Sequence, residues 1–101
     1  MYSTECTSDT TGTSYQGRKS STRAPNLNNR VVQCLAWTNN FNGRSYRDGD
    51  FYNNERLSDV SNYCRQTKID NSRTRPWCYY DTNGAWAYCD VPNCCKLCIT
   101  Q

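Results

Sequence analysis

The chain has 101 residues, eight cysteines, no histidine and a net charge of +3, with a mean hydropathy of −0.98. That length suits one domain, and no run of apolar residues is long enough to span a bilayer as a helix. Without histidine the usual base for a serine or cysteine nucleophile is missing, and no paired-carboxylate motif stands out, so catalysis is not expected.

Aliphatic matter is scarce: leucine stands only at positions 27, 35, 57 and 97, and isoleucine at 69 and 99. Ordering a backbone costs on the order of 1–2 kcal/mol per residue. A chain this polar therefore needs covalent support, and an even cysteine count in a short sequence reads as a disulfide framework. Each native bridge in such a domain contributes roughly 2–4 kcal/mol. Disulfides imply an oxidising compartment, so the mature protein is expected to be secreted and extracellular. Met1 is followed by polar residues and is read as an expression start in place of a removed signal segment.

In chain order, residues 1–5 read as a flexible N-terminus, and the chain stays polar to Thr13. Tyr15 to Pro25 mixes turn formers with Arg18, Lys19 and Arg23. Val31 to Trp37 is the most apolar stretch and predicts a buried strand or turn. Asn39 to Asn54 predicts a loop with turn signals at Asn42-Gly43 and Asp48-Gly49. Leu57 to Cys64 suits a short helical turn, and Arg65 to Arg75 is a basic loop.

Pro76 to Cys89 (PWCYYDTNGAWAYC) predicts a β-hairpin, because Asn-Gly between alternating segments favours a two-residue type I′ turn. With Asn83 and Gly84 as the loop, Asp81 pairs with Trp86, Tyr79 with Tyr88 and Cys78 with Cys89. One face then carries Trp77, Tyr79, Asp81, Trp86 and Tyr88, an aromatic plate with a carboxylate at its edge. The other, with Cys78, Tyr80, Ala85, Ala87 and Cys89, is the expected inward face. The plate is a landing site for a ligand or partly core, and Asp81 is a substitute anion or a turn cap.

Taken together, the motifs resemble those of the kringle domain. In order, the chain shows Cys6 followed by Gly12-Thr13-Ser14-Tyr15-Gln16-Gly17, then Cys34 to Trp37 as Cys-x-x-Trp. Leu57 with Asn62-Tyr63-Cys64-Arg65 follows, then Pro76 to Tyr79, then Trp86 to Cys94 as Trp-x-Tyr-Cys-x-x-Pro-x-Cys. The resemblance spans Cys6 to Cys94 and implies a small disulfide-rich fold, mainly β and irregular, with short antiparallel hairpins and long loops. It also implies the bridges Cys6–Cys94, Cys34–Cys78 and Cys64–Cys89, with Trp37 and Leu57 helping to close a small core. Cys95 and Cys98 lie outside that set, in a C-terminal extension over 95–101. They are expected to form a Cys95–Cys98 staple, an intermolecular bridge or a redox or zinc pair being the other readings.

Lysine-binding kringles carry an Asp-x-Asp after the Asn-Tyr-Cys-Arg motif and a basic residue before the second tryptophan. Here Lys68 replaces one aspartate and leaves Asp70, Arg73 and Arg75 make the loop net positive, and Ala85 stands before Trp86. The resemblance implies a non-catalytic binding module without cofactor or metal. The expected ligand face comprises Trp77, Tyr79, Asp81, Trp86 and Tyr88 with the loop residues Lys68, Asp70, Arg73 and Arg75. The expected partner is an extracellular protein or receptor, in a signalling, growth-factor-like or adhesion role, and not a nucleic acid. Two basic clusters (Arg18, Lys19 and Arg23; Arg65, Lys68, Arg73 and Arg75) offer an alternative, binding of sulfated glycan or anionic lipid, unless they are simply solvated loops. Eight tyrosines leave a structural role in extracellular matrix or adhesion as a further alternative.

Overall fold

The computed structural model describes Cys6, Thr7 and residues 9–92. Two separate two-stranded antiparallel sheets form its regular part. Strands β1 (Ser21–Ala24) and β2 (Arg30–Gln33) pair from Ser21–Gln33 to Ala24–Arg30. Strands β3 (Trp77–Tyr79) and β4 (Trp86–Tyr88) form the second hairpin. Between the hairpins lie the helical turn α1 (Leu57–Val60) and short 3-10 turns at Asp48–Asp50 and Lys68–Asp70. The architecture is thus a small disulfide-rich domain of short strand pairs and long loops, as the sequence predicts.

The Asn-Gly signals part company. At Asn42-Gly43 both residues take positive φ (53° and 96°) and Phe41 and Arg44 exchange backbone hydrogen bonds across the turn. That is the expected type I′ geometry. At Asn83-Gly84 only the glycine is left-handed (φ 99°). The loop there has four residues, closed by the Gly84 N–H donating to the Asp81 carbonyl and the Tyr80 N–H to the Ala85 carbonyl. Trp77 pairs with Tyr88, Cys78 with Ala87 and Tyr79 with Trp86, so the predicted pairing of Cys78 with Cys89 is corrected by two residues. Asp81 explains the shift: its carboxylate accepts from the Asn83 N–H, and the Asn83 side chain accepts from Ala85 N–H. These side-chain bonds stabilise a wider turn. Because the period of a strand is two, an even slip leaves each residue on its predicted face.

Both faces of β3 are nevertheless buried. On one side, Trp37 takes the centre of an aromatic core, edge-on to Trp77 (5.0 Å between centroids), Tyr46 (5.1 Å), Phe51 (5.4 Å) and Tyr79 (5.9 Å). Edge-to-face packing suits the ring quadrupoles, and the Trp37 indole N–H donates to the Tyr63 carbonyl at 2.7 Å. Leu57 packs on this cluster from its rim. On the other side, Cys34–Cys78 and Cys64–Cys89 are bonded, with the sulfurs of Cys34 and Cys64 only 3.8 Å apart, and Tyr15 closes over them. Cys6 is also disulfide-bonded, while Cys94, Cys95 and Cys98 lie outside the described residues. The stretch from Val31 is not buried as predicted until Cys34: β2 lies on the surface, with Val31 56% exposed.

Two further positions explain motifs. Gly12 (φ +80°) packs its α-carbon against the Pro76 ring, where a β-carbon would overlap Cδ and Cγ. Arg65, expected in a basic surface cluster, is instead interior: Nε and Nη2 donate to the two Glu55 oxygens at 2.8 and 3.0 Å, and Nη1 donates to the carbonyls of Gly17 and Cys64. Its guanidinium also lies over the Tyr15 and Tyr63 rings. We expect Gly12→Ala to lower stability by about 2 kcal/mol, because a crowded methyl adds to a left-handed backbone, as read by denaturant unfolding with intact disulfides. Arg65→Met, which strands Glu55, should cost about 3–5 kcal/mol, and the added Glu55→Gln change should recover part of it.

Candidate functional site

The basic loop leaves and re-enters the body at one point, where Arg65 and Trp77 exchange backbone hydrogen bonds. Gln66 staples it from within, its Nε2 donating to the carbonyls of Thr11 (2.8 Å) and Arg73 (2.6 Å). The Lys68–Asp70 turn then lowers Asp70 into the body. One carboxylate oxygen accepts from the Tyr46 hydroxyl at 2.7 Å and from Thr67 at 2.6 Å. The other faces Nη2 of Arg44 at 3.8 Å and Nη2 of Arg73 at 3.9 Å. Burial, with Asp70 and Tyr79 as hydrogen-bond partners, pushes the Tyr46 phenol well above its ordinary value.

The predicted ligand-face residues divide into three groups. Trp77 and Tyr79 are core residues, 0% and 5% exposed, so they present no open plate. Trp86 and Tyr88 are half-buried and stand edge to face at 5.1 Å. Asp81 is exposed on the hairpin turn, which it caps. In the loop, Arg73 lies over Trp77 and Trp86, Arg75 lies over Tyr88 at 5.1 Å, and exposed Lys68 lies over Tyr52 at 5.8 Å. The structure therefore brings Asp70, Arg73, Trp77 and Trp86 together and sets Asp81 and Lys68 apart from them.

A second feature draws on both predicted basic clusters. The Thr22 hydroxyl donates to the Tyr88 carbonyl at 2.7 Å, joining β1 to β4. Beside this joint runs a groove of about 350 Å³, lined by Lys19, Arg23, Val31, Arg75, Tyr88 and Asp90 among others. Its Lys19 and Arg23 come from the first cluster and Arg75 from the second. No local pattern marked Val31 or Asp90 as neighbours of these cations, since their proximity depends on how the two hairpins pack. The Thr74 N–H donates to the Tyr88 hydroxyl. Hydrogen bonding from Thr74, aided by the charges of Arg73 and Arg75, holds the Tyr88 phenol below its ordinary value despite partial burial.

The sulfurs of Cys34, Cys64, Cys78 and Cys89 all lie within 4.8 Å of one another. They are joined as two disulfides, so they offer none of the thiolates that a zinc ion takes. Among the described residues no helix is long and apolar enough to cross a membrane.

Residues 6–94 match the sequence model of the family described as Kringle domain. No curated protein matches the chain.

The two perturbed phenols give a spectroscopic expectation. In a tyrosinate absorbance titration of the folded protein, Tyr88 should ionise ahead of its ordinary value near 10, and Tyr88→Phe should remove that early step. Tyr46 should stay protonated until the chain unfolds. With a depressed folded pKa, Tyr88 adds stability as pH rises through that value toward about 10. With a raised one, Tyr46 withdraws stability as pH climbs above about 10.

Proposed function

Since the chain belongs to the kringle family, whose members are non-catalytic protein-binding modules, we propose that it is a secreted, non-catalytic module that recognises an acidic segment of an extracellular protein. The groove between the two hairpins supports this reading. Lys19, Arg23 and Arg75 face one opening of about 350 Å³ in which Asp90 is the acidic lining residue. Guanidinium forks suit carboxylate and sulfate oxygens, while Val31 and the Tyr88 ring give an adjoining apolar wall for a neighbouring side chain. Cations pooled in a concave surface steer an acidic partner more strongly than the same charges dispersed. Of the predicted ligand face, Tyr88 and Arg75 line this groove. The signalling or adhesion role expected from sequence rests on this contact.

The probe is a short peptide of alternating glutamate and leucine, titrated at low and physiological salt. Saturable binding is expected to weaken at least about tenfold in Arg75→Gln, and far less in Arg56→Gln, which removes the same charge outside the groove. Equal effects of the two substitutions would reduce the attraction to net charge and overturn the reading. A heparin oligosaccharide that binds through Arg23 and Arg75 while the peptide does not would replace the protein partner with a sulfated glycan.

A further inference from the structure

The strand edges of the two hairpins differ in how they are covered. Beside β1, the Cys64 N–H donates to the Lys19 carbonyl, and the Thr22 hydroxyl takes up the Tyr88 carbonyl of β4. Beside β3, Arg65 exchanges hydrogen bonds with Trp77, and the Leu35 N–H donates to the Tyr79 carbonyl. Strand β2 has β1 on one side and no strand on the other. Its pairing fixes which backbone groups face outward. The Cys34 N–H donates to the Ser20 carbonyl, and bonded and unbonded pairs alternate along an antiparallel ladder. Thr22–Val32 and Ala24–Arg30 are therefore bonded pairs. Val31 and Gln33, opposite Arg23 and Ser21, turn their N–H and C=O groups away from β1. No described residue hydrogen-bonds to these groups, and both residues are exposed.

An uncovered edge is a template for a further strand, and the charge around this one selects what is added. Ser21, Arg23 and Val31 lie on one face of the sheet and line the basic groove together with Lys19 and Arg75. Half-buried Val32 and exposed Arg30 belong to the opposite face. A strand laid along β2 thus meets cations on its groove side and a valine on its other side. A second copy of this chain is a poor occupant. Two β2 edges brought together would gather Arg23 and Arg30 of both chains in a molecule of net charge +3, and like charges on neighbouring strands are destabilising.

We infer that β2 is a strand-addition site: the acidic partner segment binds as an extended chain, its backbone paired with Val31 and Gln33 and every second side chain a carboxylate on the groove face. This rests on the acidic-partner reading above and adds the partner's conformation and the spacing of its charges. Main-chain hydrogen bonds hold an added strand whatever its sequence, and the alternating side chains supply selection. Carboxylates at alternate positions reach across Val31 toward Arg23, with Lys19 and Arg75 as further cations of the groove. The intervening apolar side chains lie on the Val32 face. Strand β2 has four residues, so only a short stretch of the partner is read.

The alternating glutamate–leucine peptide should slow amide hydrogen exchange at Val31 and Gln33 by at least about tenfold, with far less change at Val32, whose N–H is already bonded. A peptide of the same composition written in Glu-Glu-Leu-Leu blocks should bind at least about tenfold more weakly. N-methylating the alternating peptide one residue at a time should weaken binding at every second central position and leave the positions between unaffected. Val31→Pro, which removes an outward donor without breaking a bonded pair, should lower affinity to the same degree. If that variant does not fold, the exchange and N-methylation measurements on the unaltered protein still decide. Binding that tolerates N-methylation throughout, or that is equal for the blocked peptide, overturns strand addition and leaves the acidic-partner reading standing. Absence of saturable binding by any of these peptides overturns both.

Discussion

Two disulfides in contact organise everything else in this molecule. Cys34–Cys78 and Cys64–Cys89 both end on the second hairpin, at Cys78 in β3 and at Cys89 just beyond β4, and their other ends pin the segments leading to Trp37 and Arg65. A chain with so few aliphatic residues cannot fill an interior with methyl groups. It uses sulfur on one side of β3 and rings on the other. Both surfaces of a three-residue strand are thereby consumed, which is why Trp77 and Tyr79 are interior.

That economy shapes the binding surfaces. What the core leaves accessible is the edge of the aromatic cluster, Trp86 and Tyr88, and each half-buried ring is met by an arginine from the same loop. Arg73 and Arg75 are two residues apart and go separate ways, one inward toward Asp70 and one outward to the groove. A single loop, sealed at Arg65 and Trp77, thus sends one arginine onto the core indoles and another to the lining of the groove.

Much of the fold was legible in sequence because the motifs report local constraints. Gly12 is required by the approach of Pro76 to its α-carbon, and Asn42-Gly43 adopts the turn that its residue types favour. The cysteine pairing was accessible only through the family pattern, since the spacing permits others. The hairpin register differs because Asp81 and Asn83 cap N–H groups within a wider turn, among them that of Ala85, which a two-residue turn would have paired across the strands. Arg65 and Val31 show the limit of reading composition by segment. A charged residue lies inside because Glu55, ten positions away, meets it, and a β-branched one lies outside because its strand is at the surface. The groove has no local signature, because it is made where segments distant in sequence meet.

The crossed links have a bearing on survival in protease-rich fluids. Any peptide bond between Cys64 and Cys78 is spanned by both bridges, Cys34–Cys78 and Cys64–Cys89. A nick beside the exposed Arg75 would leave two fragments still held together by both of these bridges, with the ring-filled interior and its sulfur scaffold undivided. The loop with the most distinctive chemistry is thus also one that can be cut without the molecule coming apart.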